Sequence, residues 1–181
     1  MLIVPLYVLV ILLLLALVLV IFAATKPNEF TIRRSISIHA PAERIYALIA
    51  DFREWPKWSP WEALDPNLKR TMNGMESGAG AIYEWDGNKK AGAGRMEIVQ
   101  ASPPSRIEIR LNFLRPFRAE NKVVFTLIPA GDGTNVIWEM SGINNLGFKI
   151  MGILMNMDKL VGRDFEKGLA AMKAEAEKPA T

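Results

Sequence analysis

Arg106-Ile107-Glu108-Ile109-Arg110-Leu111-Asn112-Phe113 alternates apolar and polar side chains without a break. Period two over such a run marks a β-strand with one dry face and one wet face. Its neighbours decide the fold. Upstream, Gly94 to Ala101 is strand-like and stops at Ser102-Pro103-Pro104. Before it, Gly80 to Asp86 is followed by Gly87-Asn88, a hairpin-type turn, and Leu68 to Asn73 is a weaker strand. Downstream, Ala119 to Pro129 and Thr134 to Gly142 flank Ala130-Gly131-Asp132-Gly133, another hairpin signal. No helix fits between these runs. Consecutive strands joined by short turns imply an antiparallel meander and not βαβ units.

Helical patterns bracket the meander. From Leu146 to Glu177 apolar residues recur at three- and four-residue spacing, including Leu154, Val161, Phe165, Leu169 and Met172. This predicts one long terminal helix with a broad apolar face. Its charged tail, Lys173 to Thr181, is expected to fray. On the N-terminal side, Phe30 to His39 alternates, with Phe30, Ile32, Arg34, Ile36 and Ile38 on one side, which predicts a first strand. Ala40-Pro41-Ala42-Glu43 then opens a helix whose Ile45, Leu48, Ile49 and Phe52 share a face. Trp55-Pro56-Lys57-Trp58-Ser59-Pro60-Trp61 follows. Its prolines forbid a long regular element, so a short helix or turns packed by indole rings is expected.

Leu2 to Ala24 has no charged side chain and is nearly all Leu, Val, Ile and Ala. At 1.5 Å per residue it spans about 35 Å, enough to cross the hydrocarbon core. Pro5 falls in the first turn, where a missing N–H costs little, and Tyr7 suits the interface. The competing reading is a cleaved signal peptide, with Ala23-Ala24-Thr25 as a weak cleavage candidate. The length of the run, and the absence of Lys or Arg before it, favour an uncleaved single-pass anchor. Lys26, Arg33 and Arg34 follow the run, so the positive-inside rule leans the soluble part towards the cytoplasm. The expected organisation is an anchor over residues 1–25, a linker over 26–29 and one domain over 30–178.

Composition narrows the chemistry. The chain has 181 residues, no cysteine and a formal charge of +3. The soluble part is long enough to bury a core without staples. Disulfides, thiolate nucleophiles and cysteine-based metal sites are excluded. The dispersed charge does not suggest a nucleic-acid partner.

The order of elements resembles the helix-grip fold of the START-like superfamily, also called the SRPBCC or Bet v 1-like group. Within it the sequence resembles the polyketide cyclase/dehydrase and lipid-transport branch. The resemblance is carried by Ile36-Ser37-Ile38-His39-Ala40-Pro41-Ala42-Glu43-Arg44-Ile45-Tyr46, which leads into Asp51-Phe52-Arg53-Glu54 and the tryptophan stretch. It continues in Gly80-Ala81-Ile82-Tyr83-Glu84-Trp85, in Thr126 to Thr134, and in Asp164-Phe165-Glu166-Lys167-Gly168-Leu169. It covers almost everything after the apolar segment. It implies an α+β fold in which a curved antiparallel sheet grips a long C-terminal helix over an apolar cavity that takes lipids, sterols, polyketides or similar compounds. The transmembrane helix lies outside the family pattern.

Several residues invite a functional role. His39, alone of its kind, is read as a surface or capping residue and not as a general base. No metal site and no cofactor are expected. The scattered glycines from Gly74 to Gly94 fit neither the dinucleotide nor the Walker pattern and are read as turns and a bulge. Glu84 and Asp86 belong to the outer sheet face, because Tyr83 and Trp85 need the inner one. Tyr83, Trp85, Met96, Phe113, Phe125, Trp138, Met140, Met151 and Met155 fall on the inner parity of the meander or the apolar helix face. They are the expected cavity lining; a solid core is the alternative for the same residues.

Three functions remain open. The first is a membrane-anchored binding or carrier module for a hydrophobic small molecule or lipid, needing no catalytic residue. The second is a cyclase- or dehydratase-like enzyme, which requires polar groups such as Tyr83, Glu84, Asn112, Asn121 or Glu139 to converge inside the cavity. The third is an interaction scaffold, using the Trp/Pro segment or the outer sheet face to meet a partner, which exposed tryptophans in Trp55 to Trp61 would favour.

Overall fold

The computed structural model describes residues 3–179. Met1 and Leu2 of the expected anchor, and Ala180 and Thr181 of the tail, lie outside the described residues. Helix α1 (Ile3–Ala24) leads. By length and composition it can cross a membrane, and most of its described side chains from Tyr7 to Phe22 stand free, Leu13 and Leu15 being 61 % exposed. Only at its end does it meet the domain, where Ala23 is fully buried.

Seven strands follow: β1 (Glu29–Ile38), β2 (Lys69–Gly74), β3 (Ala81–Asp86), β4 (Ala93–Ser102), β5 (Arg106–Arg115), β6 (Ala119–Ala130) and β7 (Gly133–Ile143). They form one antiparallel sheet in the order β1-β7-β6-β5-β4-β3-β2. The meander is therefore uninterrupted, and β1 closes onto its last strand. Register shifts at Ala93/Gly94 and Ile98/Gln100 interrupt the β4–β5 ladder, and such bulges bend a sheet. The β6–β7 turn is the tight one expected, with Gly131 at φ +61°. The β3–β4 connection is longer than the hairpin predicted at Gly87-Asn88. The Asn88 side chain accepts from the backbone N–H groups of Lys90 and Ala91, making a broader loop that Asp65 holds by accepting from Asn88 N–H.

Helix α2 (Ala42–Ala50) and a 3₁₀ helix (Phe52–Lys57) lie between β1 and β2. The tryptophan stretch finishes α2. Trp58 Nε1 donates to Leu48 O at 2.9 Å and Trp55 Nε1 to Ile49 O at 3.0 Å, which satisfies carbonyls that a helix end leaves without partners. Both rings are buried, at 2 % and 3 % exposure, so these tryptophans are core and do not form an exposed docking segment.

The C-terminal helical region differs from the single helix expected over 146–177. It is split into α3 (Leu146–Leu154) and α4 (Met157–Ala176). Met155 is extended, at φ −132° and ψ 127°, and Asn156 restarts the helix by accepting from Lys159 N–H at 2.9 Å. An asparagine cap followed by Asp158 in the first turn was a legible start signal, hidden by the apolar spacing that runs through it. The fraying expected from Lys173 does not begin there: α4 continues to Ala176, because Met172 and Ala176 are buried and Lys173 Nζ donates to Ser37 O. Helix α4 lies against the concave side of the sheet, where Phe165 stacks on Trp138 with ring centroids 4.2 Å apart. Burying each such side chain contributes about 1.5–3 kcal/mol.

Candidate functional site

Beyond a row of Ile36, Val136 and Leu127, the strand register sorts the inward-facing residues nearer the β5–β6 hairpin into four rows across the sheet. The first row runs Arg34, Trp138, Phe125, Ile107. The second runs Ile32, Met140, Val123, Ile109, Ile98. The third runs Phe30, Gly142, Asn121, Leu111, Met96, Tyr83. The fourth, nearest the β5–β6 hairpin, holds Phe113, Gly94 and Trp85.

The first row is sealed. Trp138 lies between Phe165, Phe125 at 4.9 Å, Trp61 at 5.5 Å and Trp58 at 5.6 Å. Trp55 and Trp58 turn their edges to Phe125. The plug is tight enough that Trp138 Nε1 is buried without a hydrogen-bond partner. Phe125 and Trp138, expected to line a cavity, thus face packing partners.

The outer rows are looser. Phe30, Trp85 and Phe113 are only half-buried, and Leu111, Met96 and Asn121 sit at 9, 8 and 8 % exposure. Two glycines shape them. A Cβ on Gly94 would lie 2.3 Å from the Trp85 ring, so the indole lies flat across the backbone there and reaches Phe113 edge-on at 5.9 Å. A Cβ on Gly142 would lie 2.2 Å from Asn121 Oδ1, so the amide occupies the gap that glycine leaves. Met140 borders this zone at 8 % exposure. Met151 is half-buried on α3, whereas Met155, in the break before α4, is 48 % exposed.

Two polar clusters brace the inner face. Tyr83 donates its hydroxyl to Glu62 at 2.7 Å, and Arg70 Nε donates to the other oxygen of that carboxylate at 2.7 Å. Burial, with Glu62 adding to it, raises the Tyr83 pKa, so the phenol stays protonated as a donor and is no base. At the opposite edge, Arg34 interrupts the apolar side of β1 and reaches across to α4. Its Nε donates to Glu166 at 2.8 Å, its Nη1 and Nη2 each to a carboxylate oxygen of Asp158 at 3.1 Å, and its Nη2 to Asp158 O at 3.0 Å. The guanidinium holds Asp158 below the usual carboxylate range. Gly162 makes the clamp possible, since a Cβ there would lie 1.9 Å from Arg34 Nη2.

Of the polar groups an enzyme would need, Tyr83 and Asn121 face inward, while Glu84, Asn112 and Glu139 fall on the outer parity. His39 is at the surface, its N–H bonded to Glu177 and its ring 3.4 Å from Asp132. Among the described residues no group of carboxylates and histidine is placed to hold a metal. A concavity of about 740 Å³ lies mainly on the outer face of the sheet. It is an open saddle lined by charged and polar side chains such as Glu108, Arg110, Lys122 and Ser141, and it also touches Phe30, Ile109, Asn121 and Gly142 of the inner rows.

A seven-stranded antiparallel sheet closed over a C-terminal helix, with an aromatic-rich inner face, defines the helix-grip class. The family model for polyketide cyclase / dehydrase and lipid transport matches residues 29–177, and the chain belongs to that family. No functionally curated protein resembles the chain closely enough to count as a relative. Solved structures share the fold. Protein CV1439 from Chromobacterium violaceum is 18 % identical with a TM-score of 0.61, the match covering 85 % of this chain and all of that one. The di-domain ARO/CYC StfQ from the steffimycin biosynthetic pathway is 12 % identical with a TM-score of 0.64, covering 83 % of this chain and 51 % of that one. Aha1 from Colwellia psychrerythraea, solved as a dimer, is 15 % identical with a TM-score of 0.59, covering 82 % and 96 %.

Sequence reasoning did not include Phe30 and Leu111 in the site, although both carry the inner parity. The polarity of Asn121 and the missing side chain of Gly142 interrupt two apolar alternations and were the available signal. The Glu62–Tyr83–Arg70 cluster had none, because its members are brought together only by the tertiary fold.

Proposed function

We propose that the protein is a single-pass membrane protein whose domain binds a hydrophobic small molecule or lipid at the open end of the inner sheet face. The gradient from the sealed first row to the half-buried fourth row carries this reading. Trp85, Met96, Leu111, Phe113 and Met140 supply an apolar wall, and Asn121 supplies one polar contact to orient a ligand. Met151 and Met155 are adaptable side chains at the same end, beside the break between α3 and α4. Affinity would come from apolar burial at about 25 cal/mol per Å². Family membership supports a hydrophobic ligand. The length and composition of α1 support an anchor, and Lys26, Arg33 and Arg34 after it support a cytoplasmic domain.

The test uses full-length protein in nanodiscs loaded with a diazirine-bearing fatty acid. After irradiation, peptide mass spectrometry should find adducts on Met96, Leu111, Phe113 or Met140. Adducts confined to α1 and α3 would overturn the binding reading.

A further inference from the structure

Helix α3 is anomalous. Six of its nine residues, Leu146, Phe148, Ile150, Met151, Ile153 and Leu154, are large and apolar, yet none of its described residues is buried. A helix that joins a core buries one face. This one packs beside the end of α1, where Ala23 is buried, and its outer surface remains open. It is pinned at that level, because Asn28 O accepts from Asn144 N–H and Asn28 Oδ1 from Lys149 Nζ, both at 2.7 Å.

The tip of the β5–β6 hairpin joins it. Phe117 meets Phe148 edge-on at 6.2 Å while remaining 63 % exposed, and Leu114 is 55 % exposed. Ile143 and Leu146, at 75 % and 46 %, continue the apolar surface. Basic groups surround it. Lys26 sits 4.4 Å over the Phe22 ring, Lys149 is on α3, and Arg118 borders the same concavity as Ile143, which the acids Glu29, Glu108 and Glu120 also line.

We infer that α3 and the β5–β6 hairpin tip together form a membrane seat that lies in the headgroup–acyl boundary of the bilayer spanned by α1. The inference rests on reading α1 as an anchor. The surface is continuous with α1, is apolar where it would enter lipid, and is rimmed by cations suited to anionic headgroups. It turns the half-buried Trp85–Phe113 end of the inner face towards lipid, whereas the β6–β7 turn lies at the far end of the strands in water.

The chain has no cysteine, so single labels can be placed cleanly. Spin labels at Leu13→Cys, Leu146→Cys, Phe117→Cys and Asp132→Cys are compared in full-length protein in nanodiscs of phosphatidylcholine and phosphatidylglycerol. The labels at Phe117 and Leu146 should collide with oxygen several-fold more, relative to a water-soluble nickel chelate, than the label at Asp132. A label at Leu13 in the bilayer core with water-like labels at Phe117 and Leu146 overturns the seat and leaves the anchor standing. A water-like label at Leu13 overturns both. Labels at Phe117 and Leu146 shielded from both reagents would mean that a second copy covers the surface, which also overturns the seat.

Discussion

The two ends of the inner sheet face are built from the same strands with the same alternation, yet one is sealed and the other is not. At the sealed end, α4 and the tryptophan stretch supply Phe165, Trp55, Trp58 and Trp61 to cover Trp138 and Phe125. At the loose end Phe30, Trp85 and Phe113 stay half-buried, and α3, which packs beside the end of α1, buries none of its described residues. Stability should therefore concentrate at one end and ligand contact at the other. Inner-face parity alone does not separate the two roles; the covering element does.

The strongest test removes the centre of the plug. Trp138→Ala should cost about 3–5 kcal/mol in urea unfolding, as large aromatic truncations in packed cores do. A loss near that of a surface residue would mean that the first row is not the core. Overpacking the same place is milder. Gly168→Ala puts a Cβ 2.8 Å from the Trp138 ring and 3.0 Å from Pro60 Cδ. It should cost about 1–3 kcal/mol, read as a lowered urea midpoint with unchanged slope. Phe113→Ala at the loose end should cost only about 1 kcal/mol, because the ring is half-buried. It should nevertheless reduce photolabelling by the apolar probe several-fold. Equal losses for Phe113→Ala and Trp138→Ala would erase the difference between the ends.

The smallest effect belongs to the Arg34 clamp. Arg34 lowers the Asp158 pKa in the folded state. Its stabilisation is therefore fully present above the unfolded aspartate value, about pH 4, and is lost as pH falls through the lowered native value. Asp158 is 57 % exposed at its side chain, so the effect should be modest and screened by salt. Thermal unfolding followed from neutral to acidic pH should show a slightly shallower acid loss in Arg34→Met than in the parent. Identical profiles would remove the clamp from the account of how α4 is held.

Much of this architecture is legible before any coordinates. Strands β1 and β5 follow from alternation, the others from strand-like runs bounded by turn residues, β2 being the weakest signal, and their uninterrupted sequence dictates an antiparallel order. The apolar helix at the start is read from composition alone. The split between α3 and α4 is obscured because Met151 and Met155 keep helical spacing across the extended residue, and only Asn156 marks the restart. The candidate site is less legible. Parity puts Phe125 and Phe113 on the same face with equal claim to a cavity, but which of them is covered depends on where α4 crosses. That crossing depends on a charged residue, Arg34, meeting a helix residue without a side chain, Gly162. Such pairings join residues far apart in sequence, and no local pattern announces them.

The short connection between α1 and the sheet sets a limit on how such a protein could work. Residues Thr25 to Asn28 join Ala24 to Glu29, a leash that even fully extended reaches only about 14 Å. Asn28 is moreover fastened to the fold at both its carbonyl and its side chain. On the proposed reading of α1 as an anchor, a domain held this way cannot ferry cargo over an aqueous gap between organelles or membranes. Exchange would have to occur within its own leaflet, or with a partner that comes to it, at a frequency set by lateral encounters in two dimensions.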